Sequence, residues 1–522
     1  MNINNKLFDV IIIGSGPAGI SAAWPLVVSG VRVLMIDGGK IHTPEISPYR
    51  PRLFDLRNGK GAKFLVGSNM SGLRDVGFAS PKLRTAVDSG FDGNYILNNH
   101  IKTVNFHLVG TLSPGGLSRI WGGVCCTYDD SDLKGSGLCA SDLELSYKNV
   151  ANRIGISGVL GGNMEPFLGA GLPLQSPLPL TPLAQDLLDK SVYSKGFQIG
   201  QPHVAVLTSP KGDRAACSED LACMWGCRNN AVYSSEREIP ELLKFINFNY
   251  IEGVIADKVY KNEGEWIIEG NSSENKSTVS LCTNKIIFAA GTFATTSLVL
   301  RNLKKDYTSL PIKTNPAFSA AFIMPFRLGH DLPKSGYGNS QLCFRIDLSE
   351  GENSYVFGLV YDAASMPASD LARHMPLTSV SAMNLTSCLL SSIAIVLVYF
   401  PSSYSNSTAE MQADGKILIK GGFNQRFDAE YKHVIKRLKK YFFSLVAIML
   451  PRSAKIYEPG AEVHYGGTLA AAGLIGKNGD LIGESGIYVV DGAALACLPA
   501  KSNTFTIMAN ADRIGNLLKN NC

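Results

Sequence analysis

The sequence predicts an α/β protein: a Rossmann-type domain built on a parallel sheet, with an antiparallel sheet inserted into it. Three observations carry this. The turn GSGPAG (14–19) lies between two apolar runs near the start of the chain. The stretch NKIIFAAGTFATTSLVLRN (284–302) reads as a strand, an Ala-Ala-Gly turn and a helix, belonging to the same kind of sheet. Between 310 and 455 the composition changes to alternating strands.

Taken in chain order, Val10–Ile13 is an unbroken apolar run, the mark of a parallel strand covered on both faces. A helix is expected from the Gly-rich turn to about Ser29, then a strand over Val31–Ile36 that ends on Asp37. That order of strand, turn, helix and strand suits a dinucleotide. Gly14 permits the tight turn, Gly16 lets backbone approach a pyrophosphate, and Gly19 lets helix and strand pack closely. Pro17 and Ala18 open the helix, whose free N–H groups and positive dipole end would meet the phosphates. Asp37, with Gly38 behind it, would accept hydrogen bonds from ribose hydroxyls. Pro25 removes one helical hydrogen bond, so a kink is expected there.

From about 41 to 110 breakers such as TPEISPYRP and NGKGAKF predict loops. GTLSPGGLSRIWGGVCC (110–126) is a second Gly-rich segment. QLCFRIDLS, SYVFGLVYD and SSIAIVLVYF supply strands of the inserted sheet. The apolar stretch 388–400 is short for a membrane span and rich in β-branched residues, so a buried strand is expected. HVIKRLKKYFFSLVAIML (433–450) is a cationic helix running into an apolar one; a solvated face followed by a core-facing one is expected rather than membrane contact.

Bulk properties set outer limits. At 522 residues, 45% hydrophobic and 18% charged, with 52 glycines, the chain is globular and long enough for two or three packed units. A net charge of +5 leaves no nucleic-acid footprint, and no zinc finger or basic arm is present. The start, MNINNKLFDVIIIGSG, has no secretory pattern, and eleven irregularly spaced cysteines fit free thiols in a reducing compartment. A cytoplasmic location is expected. Cys217, Cys223 and Cys227 do not have a recognised metal spacing, so no metal is expected.

HYGGT (464–468) near the C-terminus is followed by GIYVVDGAALACLPAKSNTFTIMANADRIGN (486–516). That end resembles the glucose–methanol–choline (GMC) oxidoreductases, in which a strand ending in Asp-Gly is followed by a Pro-rich turn and a helix. The resemblance covers 8–40, about 110–130, 215–300 and 455–520, and its motifs are most similar to the pyranose-oxidase-like, sugar-oxidising branch. It implies a p-hydroxybenzoate-hydroxylase-like architecture. Residues 1–160, 205–305 and 455–522 would form a discontinuous FAD-binding domain, and 161–204 and 306–454 the substrate domain.

The resemblance also implies roles. The family's catalytic pair falls on His464 and, 39 residues on, Asn503. A lone histidine beside apolar residues is more often a satisfied structural group, but an imidazole with a near-neutral pKa suits removal of a hydroxyl proton. An amide such as Asn503 can orient the alcohol without titrating. GGLSRIWGG looks like the family's flavin-facing loop, where Gly115 and Gly116 would let backbone approach the isoalloxazine, with Ser118, Gly122 and Gly123 beside them. Trp121 could equally fill the core or touch the flavin. Ile120 stands where pyranose oxidases carry the histidine that bonds flavin, so FAD is expected to be non-covalent. Val254 is expected to contact adenine through its backbone. Ala290, Gly291, Asp491, Gly492 and Thr504 complete the expected cofactor contacts.

The expected reaction is FAD-dependent oxidation of a CH–OH group of a sugar, glycoside or polyol, with oxygen or an unidentified acceptor taking the electrons. A sterol or long-chain alcohol, a lyase with non-redox FAD, and an NAD-binding protein are the other readings the residues leave open.

Overall fold

The computed structural model describes residues 8–40, 52–58, 65, 94–192, 194–272, 277–304, 306, 309–349, 351–372 and 375–520. Most of the loop-rich stretch expected over 41–110 lies outside them.

The strand Val10–Ile13 is central in a five-stranded parallel sheet. Ile487–Val489 and Lys285–Phe288 lie on one side of it, Val33–Ile36 and Phe248–Ile251 on the other. Alternate residues of a strand point to opposite faces, and here both faces are dry. Val10, Ile12, Val33 and Met35 pack with Ile20, Leu26 and Val27 of the helix Pro17–Val28 and with Ala511 and Ile514 of the helix Thr504–Leu518. Ile11, Ile13, Leu34 and Ile36 pack instead against Val259, Trp266 and Leu281 of a three-stranded antiparallel sheet. Burial on both faces is why these strands read as continuous apolar runs. The helix Pro17–Val28 runs through Pro25, whose ring packs against the C-terminal helix at Gly515.

The inserted sheet is antiparallel throughout. Its order is Ile448–Met449, Ala317–Ile323, Ile393–Tyr399, Gly351–Asp362, Leu342–Leu348 and Phe197–Gly200. All three stretches read as strands from the sequence lie in it. The helix Phe427–Ser444 covers one face with Val434, Leu438, Tyr441 and Phe442, which meet Phe322, Phe344 and Val396. Its lysines lie on the opposite side of the helical repeat. The apolar continuation expected as helix is instead the short edge strand Ile448–Met449. Among the described residues no helix is long and apolar enough to cross a membrane.

One boundary differs from the sequence reading. Ser309–Thr314, Ser407–Met411 and Ile417–Lys420, expected in the inserted domain, pair into a sheet with Ile101–Val104 and Tyr465–Gly466. Leu310, Ile312, Ala409, Ile417 and Ile419 share one core with Ile11 and Ile13. Pattern alone marks them as strands and does not say which core receives their apolar face.

Candidate active site

A single cavity runs from the Gly-rich turn to the inner face of the inserted sheet, with about 1980 Å³ of empty space including its mouth. At one end Gly14, Gly16, Pro17 and Ala18 line it. Gly14 has φ +106°, and a side chain there would collide with the Ala289 carbonyl. A Cβ on Gly19 would collide with the Gly14 carbonyl. Gly19 therefore serves the packing of the turn and does not itself line the cavity. A Cβ on Gly16 would meet nothing, since that position faces open space.

Asp37 is buried at the end of the second strand, where its Oδ2 accepts from Ser15 N at 2.7 Å and Ser15 Oγ at 2.5 Å. Burial raises its pKa, against the lowering effect of these donors. Gly38 lines the cavity beside it. Val254 lies there too, but its N–H donates to the Asp37 carbonyl at 2.8 Å. Of the backbone contact expected from Val254, only the acceptor half is left.

The second Gly-rich segment is only partly where the sequence suggests. Gly116, Ser118, Trp121, Gly122 and Gly123 line the cavity; Gly115 does not. Gly115 N–H donates to Ser15 Oγ at 2.9 Å, and its carbonyl accepts from Ser118 and Ser235. A side chain on it would run into Glu236. Gly115 thus ties the two Gly-rich segments together from behind. Gly116 stands over Gly16: a Cβ on it would lie 3.5 Å from the Gly16 Cα, which places this residue at the first Gly-rich turn rather than at the far end. Trp121 is partly buried, anchored by its Nε1 donating to the Tyr233 carbonyl at 2.6 Å, and also borders the cavity.

Three helix N-termini converge on this space without a side-chain cap: Gly16 before Pro17–Val28, Gly291 before Thr292–Asn302, and Asn503 before Thr504–Leu518. Ala290, Gly291 and Thr504 line it. Uncapped N-termini present unsatisfied N–H groups and a positive dipole end. No Lys or Arg among the described residues lines the cavity, so these N-termini are what it offers an anion. Asp491 is fixed by Gly291 N–H at 2.9 Å, Thr295 Oγ1 at 2.5 Å and Ala493 N–H at 2.9 Å. Burial nevertheless moves its carboxyl up to about 6. Gly492 follows; a Cβ there would lie 2.6 Å from the Tyr465 carbonyl.

These features fit a dinucleotide. A bare Gly16 faces the space beside an uncapped helix, and a buried carboxylate ends the adjacent strand.

At the other end stand His464 and Asn503, brought to one cavity from different elements. The Gly466–Gly467 turn seats against the Asp-Gly strand end, with Gly467 N–H donating to the Gly492 carbonyl at 2.9 Å and φ +71° at Gly467. Tyr465 is clamped, its hydroxyl donating to the Gly460 carbonyl at 2.8 Å and accepting from Val109 N–H at 3.0 Å. Its carbonyl accepts from Asn503 Nδ2 at 3.3 Å and Thr292 Oγ1 at 3.2 Å. Asn503 is thus held by the residue adjacent to His464. The imidazole stacks on Tyr399 at 4.8 Å, and its Nδ1 has no hydrogen-bond partner among the described residues. Burial lowers its pKa to about 4, not the near-neutral value the sequence suggests.

The sequence reading missed the rest of this end. Phe357, Leu359 and Tyr361 come from one strand of the inserted sheet, Leu397 and Tyr399 from the next. Their alternate spacing was the available signal. Glu462 and Val463 precede His464 in the wall. Val463 has φ +65°, a conformation that costs a β-branched residue about 1–3 kcal/mol. The apolar stretch 388–400 contributes Leu397 and Tyr399 to the wall, and 440–450 contributes nothing. Among the described residues no group of three or more His, Cys, Asp or Glu could hold a metal.

Comparisons with known proteins establish the fold. No family model matches the chain. It is similar over 98% of its length to pyridoxine 4-oxidase from Mesorbium loti, covering 99% of that chain with a TM-score of 0.62 and 13% identity. Over 99% of its length it is similar to a formate oxidase variant from Aspergillus oryzae RIB40 characterised for FAD modification, covering 99% of that chain with a TM-score of 0.65 and 12% identity. In sequence, 119 residues are 30% identical to sarcosine oxidase subunit alpha from Corynebacterium sp. (strain P-1), a match spanning 22% of this chain and 11% of that protein. The α/β architecture with a Rossmann-type domain and an inserted antiparallel sheet is therefore that of known oxidases.

Proposed function

We propose that this chain is an FAD-dependent oxidoreductase of the GMC type that oxidises a CH–OH group to a carbonyl, with His464 as general base. The observation that carries the proposal is the convergence of His464 and Asn503 on the same cavity as the Gly-rich turn and Asp37. Two solved structures similar to this chain over nearly its whole length are oxidases, one of them described by its FAD.

The bound flavin supplies the hydride acceptor. The chain's own residues do the remaining work. Asp37 accepts from the ribose hydroxyls, and the helix beginning at Pro17 presents its N–H groups to the pyrophosphate. Asn503 orients the alcohol oxygen through its amide, itself positioned by the Tyr465 carbonyl. His464 takes the hydroxyl proton on an imidazole nitrogen. Its lowered pKa means that it is unprotonated, and so able to accept, across the neutral range. Ile120 lines the cavity and has no group that could bond the flavin, which supports non-covalent binding. The helix beginning at Thr504 aims its positive end at the same space, where it would stabilise negative charge.

The substrate class is the sugar, glycoside or polyol that the resemblance suggests, with oxygen or another small acceptor completing the cycle. A cytoplasmic location rests on the cysteine usage of the sequence. The test is His464→Ala. The variant should keep the yellow flavin spectrum and lose about 10²-fold or more in the rate of flavin reduction by substrate. A rate within a few-fold of the parent removes His464 from the mechanism.

A further inference from the structure

The helix Phe427–Ser444 ends in a turn with an unusual occupant. Val446 N–H donates to the Phe443 carbonyl at 3.0 Å and Ala447 N–H to the Phe442 carbonyl at 2.9 Å. These are the paired bonds of a Schellman end, and they put Val446 at its left-handed position, with φ +59°. Glycine suits that position; a β-branched residue is strained there. No packing offsets the strain, for Val446 is 50% exposed, with Phe443 at 69% and Ile448 at 45%, whereas their neighbours Phe442, Leu445 and Ala447 are buried. The sequence predicts a core-facing continuation here; the structure turns three apolar side chains outward from one turn instead. Lys436, Lys439, Lys440 and Phe443 are spaced three or four residues apart, so they share the helix face opposite the buried Val434, Leu438 and Tyr441. Lys432, one turn earlier, is paired with Asp428 at 2.8 Å, but none of the other three lysines has an ion pair among the described residues. From Tyr431 to Tyr457 the chain has seven Lys or Arg and no Asp or Glu.

We propose that this helix end docks the protein on an anionic phospholipid surface, with Phe443, Val446 and Ile448 entering the acyl boundary and Lys436, Lys439 and Lys440 meeting the charged headgroups. Apolar side chains flanked by unpaired cations match the layering of such a surface, apolar within and negative at the headgroups. Lysine stems lie along apolar surface while the ammonium stays in the charged layer. The strained valine then has a role, since a glycine would relieve the backbone and present nothing to the lipid. A nucleic acid would satisfy the cations and leave three apolar side chains in water. Stable binding to a protein partner needs a far wider surface than one turn. The stretch 440–450 contributes nothing to the cavity wall, so the inference is independent of the proposed reaction.

The test is co-sedimentation of the purified full-length protein with vesicles of phosphatidylcholine alone and of about 3:1 phosphatidylcholine–phosphatidylserine. At equal lipid the mixed vesicles should bind about ten-fold more protein or better, and raising NaCl from about 0.1 M to about 0.5 M should release most of it. Phe443→Gln combined with Val446→Gly removes two apolar groups and no charge, and should weaken binding to the mixed vesicles about ten-fold. Because glycine suits the left-handed position, Val446→Gly alone should leave the Tm unchanged or higher, which separates loss of binding from loss of fold. Replacing Lys436, Lys439 and Lys440 together by Gln should erase the preference for phosphatidylserine. No binding to mixed vesicles, equal binding to both kinds, or binding that the apolar double variant retains in full overturns the proposal. So does self-association in sedimentation velocity that the double variant abolishes, without vesicle binding; the turn would then belong to a contact with a second copy of the chain.

Discussion

At the residue scale the site is set by burial more than by charge. His464 stacks on Tyr399 with no carboxylate among the described residues bonded to its ring to offset the cost of charging it. This predicts a pH dependence. Flavin reduction by substrate should stay high as the pH falls through 6.5 and should decline only as it approaches about 4, where the imidazole protonates. Stopped-flow reduction across that range checks it; an acid limb near 6.5 would mean an unperturbed base. The linked stability effect has the same sign. The unfolded chain takes the proton near 6.5 and the native one only near 4, so the contribution of His464 to stability is lost as the pH falls between them. His464, Asn503 and Asp37 were legible because each sits in a motif with fixed spacing. Glu462, which also lines the cavity, was not, because a single acid between a loop and a histidine has no periodicity.

At the element scale the two helices behind the parallel sheet couple the two ends of the cavity. The helix Pro17–Val28 begins at the Gly-rich turn, and Thr504–Leu518 begins just after Asn503. They touch through Gly515, where a Cβ would lie 2.5 Å from the Ala22 carbonyl and 2.7 Å from Pro25 Cγ. Gly515→Ala should therefore push the C-terminal helix outward, cost about 1–3 kcal/mol, and slow flavin reduction through displacement of Asn503. Denaturant unfolding and single-turnover rates measure both, and unchanged values would show that the helices move independently. The strand–turn–helix units were readable from apolar runs and Gly spacing. Gly115 was misread, because a Gly-Gly pair announces a close approach without saying to what. Here the first glycine approaches Glu236 and Ser15, and the second approaches Gly16.

For the whole molecule, the cavity lies where the Rossmann-type sheet meets the inserted one, walled by residues that belong to both. A ligand bound there contacts both bodies and stabilises only the folded state. Removal of flavin should lower the Tm, and added FAD should restore it in proportion to the logarithm of its excess; a Tm indifferent to FAD would mean that the folded chain does not bind it. The two-sheet architecture was legible from the change of pattern near residue 310. The division between the sheets was not, since Ser309–Thr314 and Ile417–Lys420 are strands whose partners, Tyr465–Gly466 and Ile101–Val104, are remote in sequence.

The measurement that bears most directly on the central claim is an anaerobic titration of the purified protein with sugars, sterols and simple alcohols, followed by its flavin absorption. Bleaching by one class of CH–OH compound, slowed about 10²-fold or more in His464→Ala, is the predicted result. A protein that carries no flavin and cannot be loaded with FAD, or whose flavin no alcohol reduces, would contradict it.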